Sequence, residues 1–245
     1  MDSLLAKLDE TKIILDLGCG GGSFHYEAYP FQTIATDLQL PRQIPEARRP
    51  RTRYFLSDSS TIPLMDGCVD AVICHNTLEH FAGYKATLAE IRRVLRPEGW
   101  LWIAVPDGNG LDDCLYRFVF EGGGHVNRFT FEGLASEVAS ITGLRLIRTC
   151  VLFSSFVFLH RPTAEEAAQY PRTAHVLATM PEGVHRFGVL ALNTVTRLID
   201  KATGSHWSQY GWGFVFGPKS MPDEALPSVF NVCRQCGSGC AEFHV

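Results

Sequence analysis

Residues 13–24 read IILDLGCGGGSF. The apolar run from Lys12 to Leu17, ended by glycines, has the length and composition of a buried strand. Asp16 stands near its end, and Gly18, Gly20, Gly21 and Gly22 follow at once. A glycine turn after a strand lets a ligand come close to the backbone. A dinucleotide turn requires G-x-G-x-x-G. Counted from Gly18, the last position is Ser23; counted from Gly20, it is His25, so the pattern fails. Asp16 also repels a diphosphate and attracts a ligand that carries positive charge.

Outward from this turn, strand and helix patterns alternate. Gln32–Thr36 is a second strand stopped by Asp37, Arg53–Leu56 a third, Val69–Cys74 a fourth, and Trp100–Val105 a fifth halted by Pro106. Only SFHYEAY remains for a helix between the first two, so that crossover is short. Tyr84–Leu95 carries Leu88, Ile91, Val94 and Leu95 on one face and is stopped by R-P-E-G, which predicts an amphipathic helix. A short helix at Cys114–Phe120 and a second at Thr130–Ile141, capped by Thr130 and ended by Gly143, follow. Leu144–Phe153 and Tyr210–Phe216 are strands six and seven. The alternation predicts an α/β, Rossmann-like, doubly wound and mostly parallel seven-stranded sheet with helices on both faces.

Residues 160–208, broken by Pro162, Pro171 and Pro181, form a helical insertion between strands six and seven. Val184, Phe187, Ala191, Val195 and Leu198 fall on one face of it; a cap and a plain packing element are the two readings. The chain thus divides into a domain over 1–220, with substrate-capping insertions at 106–129 and 154–208, and a Cys-rich tail over 221–245.

The 245 residues are 46% hydrophobic and 20% charged, with a net charge of −4. No basic run is present, which argues against a nucleic-acid partner. The N-terminus has no signal-peptide pattern. The most apolar stretch, Val151 to Leu159, is far short of the ~20 residues that cross a bilayer. A cytoplasmic protein without a membrane partner is expected. In the tail, Cys233, Cys236, Cys240 and His244 have a partial zinc-knuckle spacing; zinc, a free thiol cluster and an ion shared between two chains all remain open.

Further motifs follow in order. SDSSTIPLMDGCVDAVIC carries Asp58 and Ser59, then Ile62, Pro63, Asp66, Asp70 and Val72. CHNTLEH follows strand four, and EIRRVLRPEGWLWIAVPD spans the next helix, turn and strand. Over residues 12 to about 153, with strand seven, the chain resembles class I S-adenosylmethionine-dependent methyltransferases of the small-molecule, type 11-like branch. The resemblance implies S-adenosylmethionine as cofactor, whose sulfonium and ammonium suit the carboxylate at the first turn. It implies cofactor contacts from Asp16, Gly18, Cys19, Gly20 and Gly22. It gives Asp37 the ribose hydroxyls, with Leu38 beside it, Asp58 the adenine amino group and the Ser59 amide the ring. His75 and Asn76 would border the methionine half. Asp66 and Asp70 read as turn and strand-start residues. The L-E-H loop looks like that of quinone-type O-methyltransferases, which carry a further acid, associated with a metal, where Asn76 stands; no metal ligand is assigned here.

Transfer from a sulfonium requires a nucleophile held in line with the S–CH₃ bond, about 3–3.5 Å away. An oxygen or protonated nitrogen acceptor also needs a base. His75, His80, Asp107 and His125 lie in loops at the carboxyl ends of strands. His125 and His80 are the catalytic candidates. GGGHVNRFTFEGL delivers His125 to the start of a helix, where the alternative is that it caps or packs the loop. Glu79 and His80 have the alternative of a plain helix N-terminal pair. The absence of [DN]-P-P-[YF] after strand four and of any Pro-Cys pair disfavours base methylation, leaving a small-molecule acceptor of unspecified atom. Phe118, Phe120, Phe153, Phe156 and Phe158 suit an apolar or aromatic acceptor, and equally a core. A binding-only regulatory protein with the same cofactor, and an NAD-linked oxidoreductase, are the competing functions. Oligomeric state is not legible.

Overall fold

The structure is a computed structural model that describes residues 1–40, 46, 50–120, 122, 124–154, 156, 159, 176–177, 179–218 and 229–230. Its sheet is built from β1 (Ile13–Leu17), β2 (Gln32–Asp37), β3 (Thr52–Leu56), β4 (Val69–His75), β5 (Leu95–Pro106), β6 (Arg145–Phe153) and β7 (Gln209–Gly217). A two-residue β8 (Val229–Phe230), which the sequence pattern does not announce, extends the far edge. The spatial order is β3-β2-β1-β4-β5-β7-β6-β8. The first five strands run parallel, β7 runs antiparallel to both β5 and β6, and β8 is parallel to β6. The strand order reverses between β1 and β4, and open α/β sheets bind ligands in the crevice outside such a reversal.

One face of the sheet is covered by α2 (Tyr84–Val94) and α4 (Phe131–Thr142). Leu88, Ile91 and Val94 of α2, with Leu134 and Val138 of α4, pack into a core with Leu15, Val72, Leu101 and Phe214. The ends of α4 follow the sequence signals. The Thr130 side chain accepts from the Gly133 amide, and Gly143 takes the left-handed C-cap at φ +68°. The opposite face has far less helix. Leu4 and Leu5 of α1 (Asp2–Leu5) cover Ile14, Ile73 and Trp102 together with Phe24, Tyr26 and Phe31. Between β1 and β2 the chain makes only a 3₁₀ turn at Tyr26–Ala28. Phe24 fills that side with edge-on contacts to Tyr26 (4.7 Å) and Phe31 (6.0 Å). Aromatic bulk thus replaces a crossover helix.

Asp66 and Asp70 have structural work, as their turn positions imply. Asp70 accepts from the Ile13 amide (2.9 Å) and Arg96 (2.5 Å), tying the start of β1 to β4, and Asp66 pairs with Arg93 (2.8 Å).

The insertions build a third core. Val119 and Phe120, at the end of α3 (Leu111–Val119), join Phe156, with Leu159, Leu177 and Leu192 against them. Leu192 belongs to α5 (Glu182–Thr203), which lies between β6 and β7 as expected. The face marked by periodicity is turned outward. Val184, Phe187, Val195 and Leu198 are 57%, 71%, 50% and 60% exposed, while Thr196 is buried. The helix packs through its Leu192 and Thr196 side. Phe120 and Phe156 are core residues, whereas Phe118 is exposed. No helix among the described residues is long and apolar enough to cross a membrane. Cys233, Cys236, Cys240 and His244 lie outside the described residues.

Candidate active site

At the tips of β1, β2 and β4 the chain leaves a cavity of about 290 Å³. Its floor is Leu17 and Gly18; Asp37 and Leu38 form one wall, Ser57 and Ser59 another, and Asn76, Thr77, His80 and Phe81 close the far end. None of these lining residues is Lys or Arg, and one is a carboxylate. The first turn requires glycine for two reasons. Gly18 has φ +70°, and a Cβ there would fall 2.1 Å from Thr77 Cγ2. Gly20 has φ +48°, and its amide donates to Asp37 Oδ2 at 2.8 Å. Asp37 Oδ1 accepts from the Gln39 amide at 3.2 Å. A carboxylate has about four acceptor positions, so Asp37 keeps capacity for two hydroxyls.

A larger cavity of about 420 Å³ lies elsewhere, between the end of β6 and the C-terminal half of α5. It contains neither the glycine turn nor an acidic residue other than Asp200. That carboxylate is engaged by Ser205, Trp207 and Ser208. Chemistry, not volume, therefore selects the smaller one.

Six expected cofactor residues stand away from the cavity wall, and three of them, Asp16, Asp58 and His75, have side-chain partners elsewhere. Asp16 is fully buried and serves the turn from beneath: it accepts from the Ser23 amide (2.9 Å), the Ser23 hydroxyl (2.7 Å) and the Tyr26 hydroxyl. Burial pushes its carboxyl above the ordinary range, against the pull of these donors. Through these bonds it organises the glycine turn. Asp58 is captured locally, with Oδ1 accepting from the Ser60 amide and hydroxyl, both at 2.7 Å. This Asx-type turn leaves its neighbours Ser57 and Ser59 on the cavity wall. His75 is the third. β4 runs one residue past Cys74, and His75 turns into the core, where Nδ1 accepts from Trp102 Nε1 at 3.1 Å. Cys19 is buried in the aromatic core, and Gly20 and Gly22 shape the turn from outside the lining.

Burial also lowers the His75 pKa from 6.5 to about 3, with the N-terminal ammonium adding to the shift. An unfolded chain binds a proton at His75 below pH 6.5, while the folded chain does not until about pH 3, so this site removes stability as pH falls through that window. The expected loss between pH 7 and pH 5 is about 2 kcal/mol. His75→Gln keeps an acceptor for Trp102 and should flatten the difference, measured by denaturant unfolding at the two pH values.

A second group adjoins the cavity. The 3₁₀ turn Leu78–His80 follows β4 and carries Glu79 inward and His80 to the cavity wall. His80 Nδ1 lies 3.0 Å from the Gly124 carbonyl. Gly124, at φ +77°, suits this approach: a Cβ there would lie 3.2 Å from the same ring. Next to it, His125 is buried, with Nδ1 2.6 Å from Asp113 Oδ1. Asp113 Oδ2 in turn accepts from Arg117 Nε at 2.6 Å. Burial raises the Asp113 pKa, yet His125 and Arg117 hold its carboxyl below the ordinary range overall. Tyr116 stacks on the His125 ring (4.3 Å, 20°), and His80 meets that ring edge-on at 4.7 Å. Glu79 is 1% exposed, and burial pushes its pKa up to about 8.

Comparison with known proteins agrees with this layout. Residues 15–103 match the family model described as a methyltransferase domain. The match runs from β1 into β5 and includes every residue that lines the cavity. An uncharacterized protein of Methanocaldococcus jannaschii is 35% identical over 112 residues, 44% of this chain and 48% of its own length. The demethylmenaquinone methyltransferase of Deinococcus radiodurans is 32% identical over 119 residues, 44% of this chain and 49% of its own. The chain thus spans about half the length of these curated relatives. Among solved structures, phosphoethanolamine N-methyltransferase 2 of Haemonchus contortus, in complex with S-adenosyl-L-methionine, has a similar fold: TM-score 0.55, 18% identity, 88% of this chain and 50% of that one.

The matched segment ends in β5, so Asp113, Tyr116, Arg117 and His125 come from beyond it. Asp113 and Arg117 were visible in sequence only as an acid–base pair four residues apart on a helix. Thr77, Ser57 and Phe81 carried no signal in the sequence beyond lying in loops after strands.

Proposed function

We propose that the chain transfers a methyl group from S-adenosylmethionine to a small-molecule acceptor. The observation that carries this reading is the cavity at the β1 and β2 tips, which offers a carboxylate, two serines and open glycine backbone, and no cationic side chain among its lining. A diphosphate would find no lysine or arginine there and would face the Asp37 carboxylate. A nucleoside with a positive sulfonium has several. Asp37 would accept from the ribose hydroxyls, Leu38 and Phe81 would flank the base, and the methionine half would run past Gly18 toward Asn76 and His80. Asn76 adopts φ +52° and accepts from the Tyr210 hydroxyl at 3.1 Å, which fixes the end of the cavity.

The sulfonium methyl would then point toward the Glu79, His80 and His125 cluster. In-line attack forms a bond from acceptor to carbon as the S–CH₃ bond breaks and leaves neutral S-adenosylhomocysteine. The acceptor's proton is drawn off at the histidine cluster. The name of the Deinococcus relative supports a small-molecule acceptor. We place the acceptor between the cavity and the 106–129 segment that carries Asp113 and His125.

Asp37→Ala should weaken S-adenosylhomocysteine binding by about 1–3 kcal/mol, through loss of two ribose hydrogen bonds of ~0.5–1.5 kcal/mol each. Calorimetric titration of the variant checks this, and an unchanged affinity would remove Asp37 from the site. Transfer of labelled methyl into a metabolite extract tests turnover itself; binding without labelling would favour a cofactor-binding regulatory protein.

A further inference from the structure

The cluster beside the cavity has an unusual charge pattern. Glu79, His80 and His125 each bring a ligand atom within 4.8 Å of the other two. The Gly124 carbonyl beside His80 Nδ1 can only accept, so Nδ1 carries the proton and Nε2 keeps its lone pair. His125 Nδ1 likewise faces an acceptor, the Asp113 carboxylate. Neither oxygen of the buried Glu79 has a hydrogen-bond partner. The nearby Tyr210 hydroxyl donates to Asn76. Two imidazoles and a buried carboxyl group without a hydrogen-bond partner therefore meet at one point. A shared proton or a cation would relieve the cost of burying such a group.

We propose that Glu79, His80 and His125 bind a divalent transition-metal ion. Two histidines and one carboxylate are a common ligand set for zinc, manganese and ferrous iron, and three protein ligands leave positions open. The surroundings fit that use. Metal-ligating histidines donate their other ring N–H to a carboxylate or a backbone carbonyl; here His125 has the first and His80 the second. Arg117 balances the Asp113 charge, so the second layer adds no net charge at the ion. Tyr116 fixes the His125 ring plane. The absence of an acid at position 76 does not preclude the site, because His125 arrives from a separate loop. This inference deepens the proposed function: His80 lines the cofactor cavity, so an open position would face the acceptor. With an ion bound, the histidines serve as its ligands in place of taking the proton, and the ion would favour loss of an acceptor hydroxyl's proton to solvent before the oxygen takes the methyl.

The test uses the full chain, stripped with chelator and titrated with Mn(II), followed by electron paramagnetic resonance. Because Cys233, Cys236 and Cys240 could take up ions independently, the same titration is run on the variant Cys233→Ser, Cys236→Ser, Cys240→Ser. One ion per chain should bind in both proteins. Asp113→Asn should weaken it ~10–100-fold, the range for partners of ligating histidines, and Glu79→Gln and His80→Ala at least ~10-fold. His80 is exposed, so its variant remains informative if Glu79→Gln fails to fold. Mn(II) binding that ignores Glu79→Gln and His80→Ala, or failure to bind Mn(II) in a protein that still binds S-adenosylhomocysteine, would overturn the metal site alone. Metal binding that is retained without S-adenosylhomocysteine binding would instead count against the proposed function.

Discussion

Alanine at His125 is expected to slow methyl transfer by ~10²–10⁴-fold, the usual weight of a group that manages a proton in the transition state. The cofactor affinity should stay close to that of the parent protein, because His125 is not part of the cavity lining. The split follows from geometry. His125 is fixed on three sides, by Asp113, by the Tyr116 ring and by the edge of His80. Asp113→Asn should reproduce part of the loss, since an amide can offer the ring an N–H where only an acceptor suits the productive tautomer. Initial rates of labelled-methyl incorporation, paired with S-adenosylhomocysteine titration of the same variants, measure both quantities. A His125→Ala protein with unchanged rate would move the chemistry out of this cluster.

Gly18→Ala should be nearly as damaging, but through binding. An alanine at φ +70° costs ~1–2 kcal/mol in backbone energy alone. Its Cβ would also fall 2.1 Å from Thr77 Cγ2. Thr77 cannot simply swing aside, because its hydroxyl donates toward the Gly18 carbonyl (3.1 Å) and the His75 carbonyl (3.2 Å). The strain is relieved by shifting the turn, and both residues form cavity wall. A loss of cofactor affinity of ~10–100-fold is expected, equivalent to ~1.4–2.8 kcal/mol. Thr77→Ser removes the clashing methyl and should restore part of it in the double variant. A Gly18→Ala protein that binds S-adenosylhomocysteine like the parent would show that the turn does not touch the ligand.

Much of this architecture is local and therefore readable from the chain. The strand before Gly18, the α4 caps at Thr130 and Gly143, and the Asp37 position at the end of β2 follow from apolar runs, capping residues and glycine placement. Several residues read as ligand contacts have protein partners that local sequence does not announce. His75 was expected at the ligand, but β4 continues through it, and strand parity sends its ring toward Trp102. Asp58 was expected at the adenine; its Oδ1 accepts from Ser60 two residues on. Asp16 was expected to face the ligand, yet Ser23 and Tyr26 from the following turn surround its carboxylate. The α5 stripe was legible as a face, but periodicity does not say which face the body of the protein covers. The histidine cluster was least legible of all. Glu79 and His80 adjoin β4, whereas Asp113 and His125 lie on α3 and on the loop after it, and only the chain's return past Gly124 brings them together.

The central claim is that the cavity at the β1 tip takes a cationic nucleoside and not a diphosphate. Side-by-side calorimetric titration with S-adenosylmethionine, S-adenosylhomocysteine and NAD tests it most directly. Saturable binding of the two sulfur nucleosides, weakened in Asp37→Ala, with no heat from NAD, is the predicted result. Binding of NAD with no response to S-adenosylhomocysteine would contradict it.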